Sequence, residues 1–167
     1  MRAAVLWGLA VVVLLAINGL ILHKEHVLGT GRPVLLRLAP RDPRSLIQGD
    51  YMVLRYRLAT EDAARAVGEG PADGRLVITM DENGVAQFKR LHHQEPLAEG
   101  EFLLRYRRRG EGEIRLGAES FFFQEGHAKY YENARYGELR VAPSGQSVLV
   151  GLRGEAFERL GPPSDEE

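Results

Sequence analysis

A chain of 167 residues has room for one or two small domains. Its 22 Lys+Arg against 23 Asp+Glu leave a formal net charge of -1, so no global basic field gathers nucleic acid. With Cys at 0, disulfides, thiol nucleophiles and thiolate metal sites are excluded.

The apolar residues are unevenly placed. From Ala3 to Leu22 only Gly8, Asn18 and Gly19 interrupt them. As a helix this stretch rises about 30 Å, the thickness of a bilayer hydrocarbon core. It exceeds the apolar region of a cleaved signal, and Ala16-Ile17-Asn18-Gly19-Leu20 offers no small-x-small cleavage site. The reading is therefore an uncleaved anchor over residues 1–23. Asn18, near the exit end, is expected to reach headgroup water. Arg2 precedes the span, and the mixed-charge flank His23-Lys24-Glu25-His26 follows it. By the positive-inside rule the N-terminus stays in the cytoplasm, and the domain at 24–160 is periplasmic or extracellular.

That domain reads as mainly β (a β-rich α+β domain). Val34 to Leu38 is a short strand before the Pro40-Arg41-Asp42-Pro43 turn. From Tyr51 to Leu58 the chain alternates at period two, with Met52, Leu54, Tyr56 and Leu58 on one face and Arg55 and Arg57 on the other. Thr60 followed by Glu61 and Asp62 predicts a capped short helix over Ala63 to Val67. Arg75 to Met80 and Val85 to Leu91 flank Asp81-Glu82-Asn83-Gly84, whose Asn-Gly pair predicts a tight hairpin with positive φ angles. Further strands are expected at Glu101 to Arg108, Ile114 to Leu116, Ser120 to Phe123, Glu138 to Val141 and Val148 to Leu152. The tail at 161–167 has little to bury and is expected to be disordered.

Gly49-Asp50-Tyr51 enters the alternating strand through a turn. Gly permits unusual backbone angles, and an Asp carboxylate accepts nearby N–H groups. A turn cap is therefore one role for Asp50, and display of Asp50 and Tyr51 at a groove edge the other. The full run Gly49-Asp50-Tyr51-Met52-Val53-Leu54-Arg55-Tyr56 resembles, letter for letter, the signature of the bacterial GDYXXLXY family. Leu36 to Leu46, Ser120 to Gly126 and Ala134 to Glu138 resemble its other shared blocks. The resemblance implies a small membrane-anchored envelope protein of uncharacterised function, with Gly49, Asp50, Tyr51, Leu54 and Tyr56 as its motif positions.

A second resemblance, to type I signal peptidases, rests on Leu46 before Gly49-Asp50, on Lys89-Arg90 closing a strand, and on Phe122 to Gly126 followed by Ala134-Arg135-Tyr136-Gly137. It implies a peptidase-like β core. Such an enzyme needs a serine activated by a neutral lysine. Where it would place that serine, this chain has Arg41, and Ser45 is the nearby hydroxyl. Lys89 and Ser45 are thus the candidates for an alternative serine/lysine hydrolase.

Other patterns carry less. His92-His93-x-Glu95 with His127 has metal-ligand residue types, but adjacent strand histidines point to opposite faces, so no metal or cofactor is expected. Arg105-Tyr106-Arg107-Arg108-Arg109 reads as a solvated strand face, with contact to anionic headgroups as its functional version, and no nucleic-acid partner is expected. Phe121 to Phe123 with Tyr130, Tyr131 and Tyr136 exceeds what one core face needs, and the surplus suits a groove for another membrane or envelope protein. The expectation is a non-catalytic binding or accessory module with Asp50, Tyr51, Tyr130 and Arg135 as its contact residues.

Overall fold

The computed structural model describes residues 2–40, 47–48, 51–68, 71–110, 113–117 and 119–163. Gly49, Asp50 and Ser45 lie outside the described residues, as do 164–167 of the tail.

The apolar segment forms α1 (Arg2–Thr30), long and apolar enough to cross a membrane. Its apolar residues from Leu6 to Leu22 are exposed, as expected of a surface meant for lipid. The helix does not stop at Leu22 but continues through Thr30. There Val27, only 2% exposed, seats it on the β domain. Gly31 ends it, its N–H donating to Val27 O at 2.8 Å, and a Cβ on Gly31 would clash with that oxygen. Asn18 donates to Leu14 O at 2.8 Å within its own helix.

Eleven strands follow among the described residues: β1 (Arg32–Arg37), β2 (Ile47–Gln48), β3 (Tyr51–Val53), β4 (Asp73–Met80), β5 (Ala86–Leu91), β6 (Phe102–Arg109), β7 (Glu113–Arg115), β8 (Ser120–Phe122), β9 (Tyr136–Val141), β10 (Ser147–Arg153) and β11 (Arg159–Leu160). They make three antiparallel sheets, ordered β1-β9-β10-β11, β2-β3-β8 and β5-β4-β6-β7. The mainly β expectation holds. The two larger sheets are tied by backbone bonds, Leu35 N–H to Gly84 O at 2.9 Å and Arg105 N–H to Gly145 O at 2.7 Å. Leu36, Leu76, Ile78, Leu104, Leu139 and Leu152, all fully buried, share one core between them.

Three local expectations are corrected. The strand from Tyr51 leaves its ladder after Val53, touches Leu38 through a single bridge at Tyr56, and turns into a π-helical segment (Leu58–Asp62). Its alternation survives nonetheless: Met52, Leu54, Tyr56 and Leu58 are all buried. Thr60 does not cap the following α2 (Ala63–Val67), because the helical turn already begins at Leu58. Its hydroxyl instead donates back towards Tyr56 O and Arg57 O, at 3.4 and 3.2 Å. The hairpin between β4 and β5 forms as expected, but of the Asn-Gly pair only Gly84, at φ 76°, is left-handed. The Asp81 carboxylate closes that turn by accepting from Asn83 N–H and Val85 N–H, both at 2.9 Å.

Candidate functional site

The signature segment splits into an inner and an outer set. Met52, Leu54 and Tyr56 point inward, where Tyr56 is 1% exposed. Its ring lies over Gly137 of β9, so a Cβ there would stand 3.0 Å from Tyr56 Cε1. Burial, and secondarily the Glu119 carboxylate, push the Tyr56 phenol well above its ordinary pKa. It is therefore a neutral core group rather than a proton donor near neutral pH. The two sequence blocks that resemble family motifs, Tyr56 and Ala134 to Glu138, thus meet in space because Gly137 carries no side chain.

Tyr51 and Val53 point the other way. Tyr51 sits directly opposite Phe122 in the β3–β8 ladder, with ring centroids 5.8 Å apart. Phe122 is 73% exposed and Val53 is exposed as well. Phe121 and Phe123 take the inner face instead and cluster with Tyr131, Phe121 edge-on to its ring at 4.9 Å and Phe123 stacked on it at 5.4 Å. Burial raises the Tyr131 phenol pKa. The aromatic run is thereby divided between a core function and an outward apolar face.

Of the other expected contact residues, Tyr130 ends the 3₁₀ turn Ala128–Tyr130, with His127 edge-on to its ring at 5.5 Å and Lys129 Nζ 4.9 Å from its centroid. Arg135 is exposed and pairs with Glu155 at 3.3 Å, while its backbone ties Leu38 to Arg153.

Lys89, on β5, holds an ion pair at 3.0 Å with Glu101, a carboxylate 7% exposed as a residue. Glu101 also accepts from Arg90 at 2.7 Å and from Ala98 N–H at 3.0 Å, and Arg90 bridges onward to Glu95. The Ala98 N–H first, then the Lys89 ammonium, hold the Glu101 carboxyl below the usual carboxylate range. Glu95 is lowered too, first by its own backbone N–H and then by that of His93. This network folds the segment 92–101 onto the end of β5. Lys89 is half-exposed and ion-paired, not enclosed in the desolvated setting that leaves a lysine amine neutral and free to accept a proton. Among the described residues no group of three or more His, Asp and Glu side chains is placed to hold a metal.

Two clefts flank Glu119, whose Oε1 accepts from Leu116 N–H and Gly117 N–H. One, of about 330 Å³, is walled by Leu54, Arg55 and Tyr56 of the signature with Glu113 opposite. The other, of about 420 Å³, opens at the base of α1 between Lys24 and the arginines of β6 and β7. Neither was visible as a cavity in the sequence, although the arginine alternation on β6 was a signal for the second.

The chain belongs to the GDYXXLXY protein family, whose model matches residues 13–152, from within α1 to within β10. No curated protein and no solved structure matches it.

Proposed function

We propose that this protein is a single-pass, N-terminally anchored binding or accessory module of the cell envelope, with its domain periplasmic or extracellular, contacting another membrane or envelope protein. The observation that carries the reading is the outward face formed by Phe122, Tyr51 and Val53. A large aromatic left in water on an ordered strand, beside two neighbours that are packed away, is the composition of an interaction surface. The face belongs to the signature segment itself, since Tyr51 and Val53 are two of its eight residues. Arg2 ahead of the span supports the orientation. The pairing of Lys89 with Glu101 supports binding over serine/lysine hydrolysis.

The test is a photo-crosslinking residue at Phe122, in native membranes, with captured species identified by mass spectrometry. A recurrent membrane or envelope protein whose capture is lost on Val53→Asp supports the reading. Capture unaffected by Val53→Asp, or of unprocessed secreted precursors, refutes it.

A further inference from the structure

We infer that the cleft at the base of α1 binds the phosphodiester of an anionic phospholipid headgroup. The inference rests on α1 being the membrane anchor and is independent of any protein partner at Phe122. The cleft is lined by Lys24 of α1, by Arg105, Arg107 and Arg109 of β6, and by Arg115 of β7. Among the described residues the single carboxylate in its wall, Glu119, has Oε1 engaged by the Leu116 and Gly117 amides.

The arginines gather by register. Period-two alternation puts Arg105, Arg107 and Arg109 on one face of β6, and the β6–β7 ladder sets Arg107 directly opposite Arg115. Like charges directly opposite on a sheet are unfavourable by themselves and become favourable around a shared anion. Neighbouring acids offset only part of the charge: Asp73 meets Arg107 Nε at 3.0 Å and Glu113 meets Arg115 at 3.2 Å. Among the described residues Arg105 and Arg109 have no ion pair. The buried Nε of Arg115 has no hydrogen-bond partner there either. The guanidinium groups of Arg107 and Arg115 are partly exposed as side chains and line the cleft side by side, with more N–H donors than their single carboxylate partners use, and a phosphate oxygen accepts from such donors.

Position identifies the source of the phosphate. Leu22 is the last residue of the apolar span, and Lys24 and Val27, the cleft's helical wall, lie about 3 to 8 Å further along the axis. That is the depth of the headgroup layer beyond the hydrocarbon core. Val27 and Leu116 line one side of the cleft, and an apolar wall suits the start of a lipid's acyl chains rather than a free ion. Because Val27 fixes α1 to the domain, a lipid held here would set how the domain stands on the membrane.

The test uses the full-length chain in a neutral maltoside micelle. It is titrated separately with short-chain phosphatidylglycerol, with phosphatidylcholine of the same chain length, and with inorganic phosphate, following slowed amide exchange over 113–117. Phosphatidylglycerol is expected to protect these amides at concentrations where the other two do not. Removing one cation should weaken it about fivefold, and the pair Arg107→Gln/Arg115→Gln about 25-fold. Exchange in β9 and β10 reports whether the double variant is folded. Lys24→Gln, an exposed position of α1 at the rim of the cleft, gives the single-step loss without changing a residue of the sheet. Arg65→Gln, outside the cleft, removes the same charge and should bind as the parent does. Equal protection by inorganic phosphate or by phosphatidylcholine, parent-like binding by Lys24→Gln, or an equal loss in Arg65→Gln overturns the inference.

Discussion

Gly137→Ala should destabilise the protein through one contact. The added Cβ would stand 3.0 Å from Tyr56 Cε1, 3.2 Å from its hydroxyl oxygen and 3.3 Å from Leu149 Cδ1, so a neighbour must give by a few tenths of an ångström. Leu149 presents the end of a flexible side chain. Tyr56 presents a ring 1% exposed and packed within the core cluster, which yields less readily than a flexible side-chain end. Overpacking of this kind costs about 1 to 3 kcal/mol. The lost flexibility of the unfolded chain returns about 0.4 to 1 kcal/mol, leaving a net destabilisation of roughly 1 to 2 kcal/mol. For a folded domain of this size, that lowers Tm by roughly 3 to 7 °C. The assay is thermal unfolding of the full-length chain in a neutral micelle, followed by circular dichroism. The decisive comparison repeats Gly137→Ala in a Tyr56→Leu background, where the ring is gone and most of the cost should vanish, a coupling on the order of 1 kcal/mol. An equal cost in both backgrounds, or a stabilised Gly137→Ala, would falsify the claim that Gly137 exists to seat the signature tyrosine.

Leu54→Ala removes a fully buried signature side chain and should cost about 2 to 5 kcal/mol by chemical denaturation. Phe122→Ala, one strand away but exposed, should change stability by no more than about 0.5 kcal/mol while reducing partner capture by a probe at Val53. A large stability loss there would mean Phe122 is structural. Val27→Ala should cost about 1 to 3 kcal/mol and speed amide exchange in β9 and β10, where α1 docks. Unchanged exchange would show that the helix does not bear on the sheet. Glu95 and Glu101 have carboxyl pKa values lowered in the folded state. Their stabilising contribution is therefore present above the ordinary carboxylate pKa and lost as pH falls below it through the folded values. Tm should drop over that acid window, and Glu101→Gln should flatten the drop. A Glu101→Gln variant with the parent's acid profile would place the effect elsewhere.

Much of the architecture was legible because its causes are local. Ala3 to Leu22 specifies a helix long and apolar enough to cross a membrane, and the Asp81 to Gly84 turn specifies a hairpin by the chemistry of four residues. The alternation Met52, Leu54, Tyr56, Leu58 marked its buried face correctly even where the ladder itself ended at Val53. The start of the following helix was misplaced because Thr60 has the composition of a cap while the chain had already turned at Leu58. The continuation of α1 to Thr30 was missed for a related reason. His23 to His26 reads as an aqueous flank, and only packing shows that Val27 beyond it is buried.

The sequence by itself determined the apolar helix of membrane-crossing length, the β-rich class and family membership, since each is written in composition, period or a contiguous motif. Tertiary structure alone decided which of three consecutive phenylalanines faces solvent, because side-chain direction on a strand depends on which face the rest of the core occupies. It also decided that Gly137 seats Tyr56, that Lys89 is claimed by Glu101, and that the arginines of β6 meet Arg115 and Lys24 around one cleft. Those pairings join residues far apart in the chain, and strand register and helix docking, which place them, are properties of the assembled core.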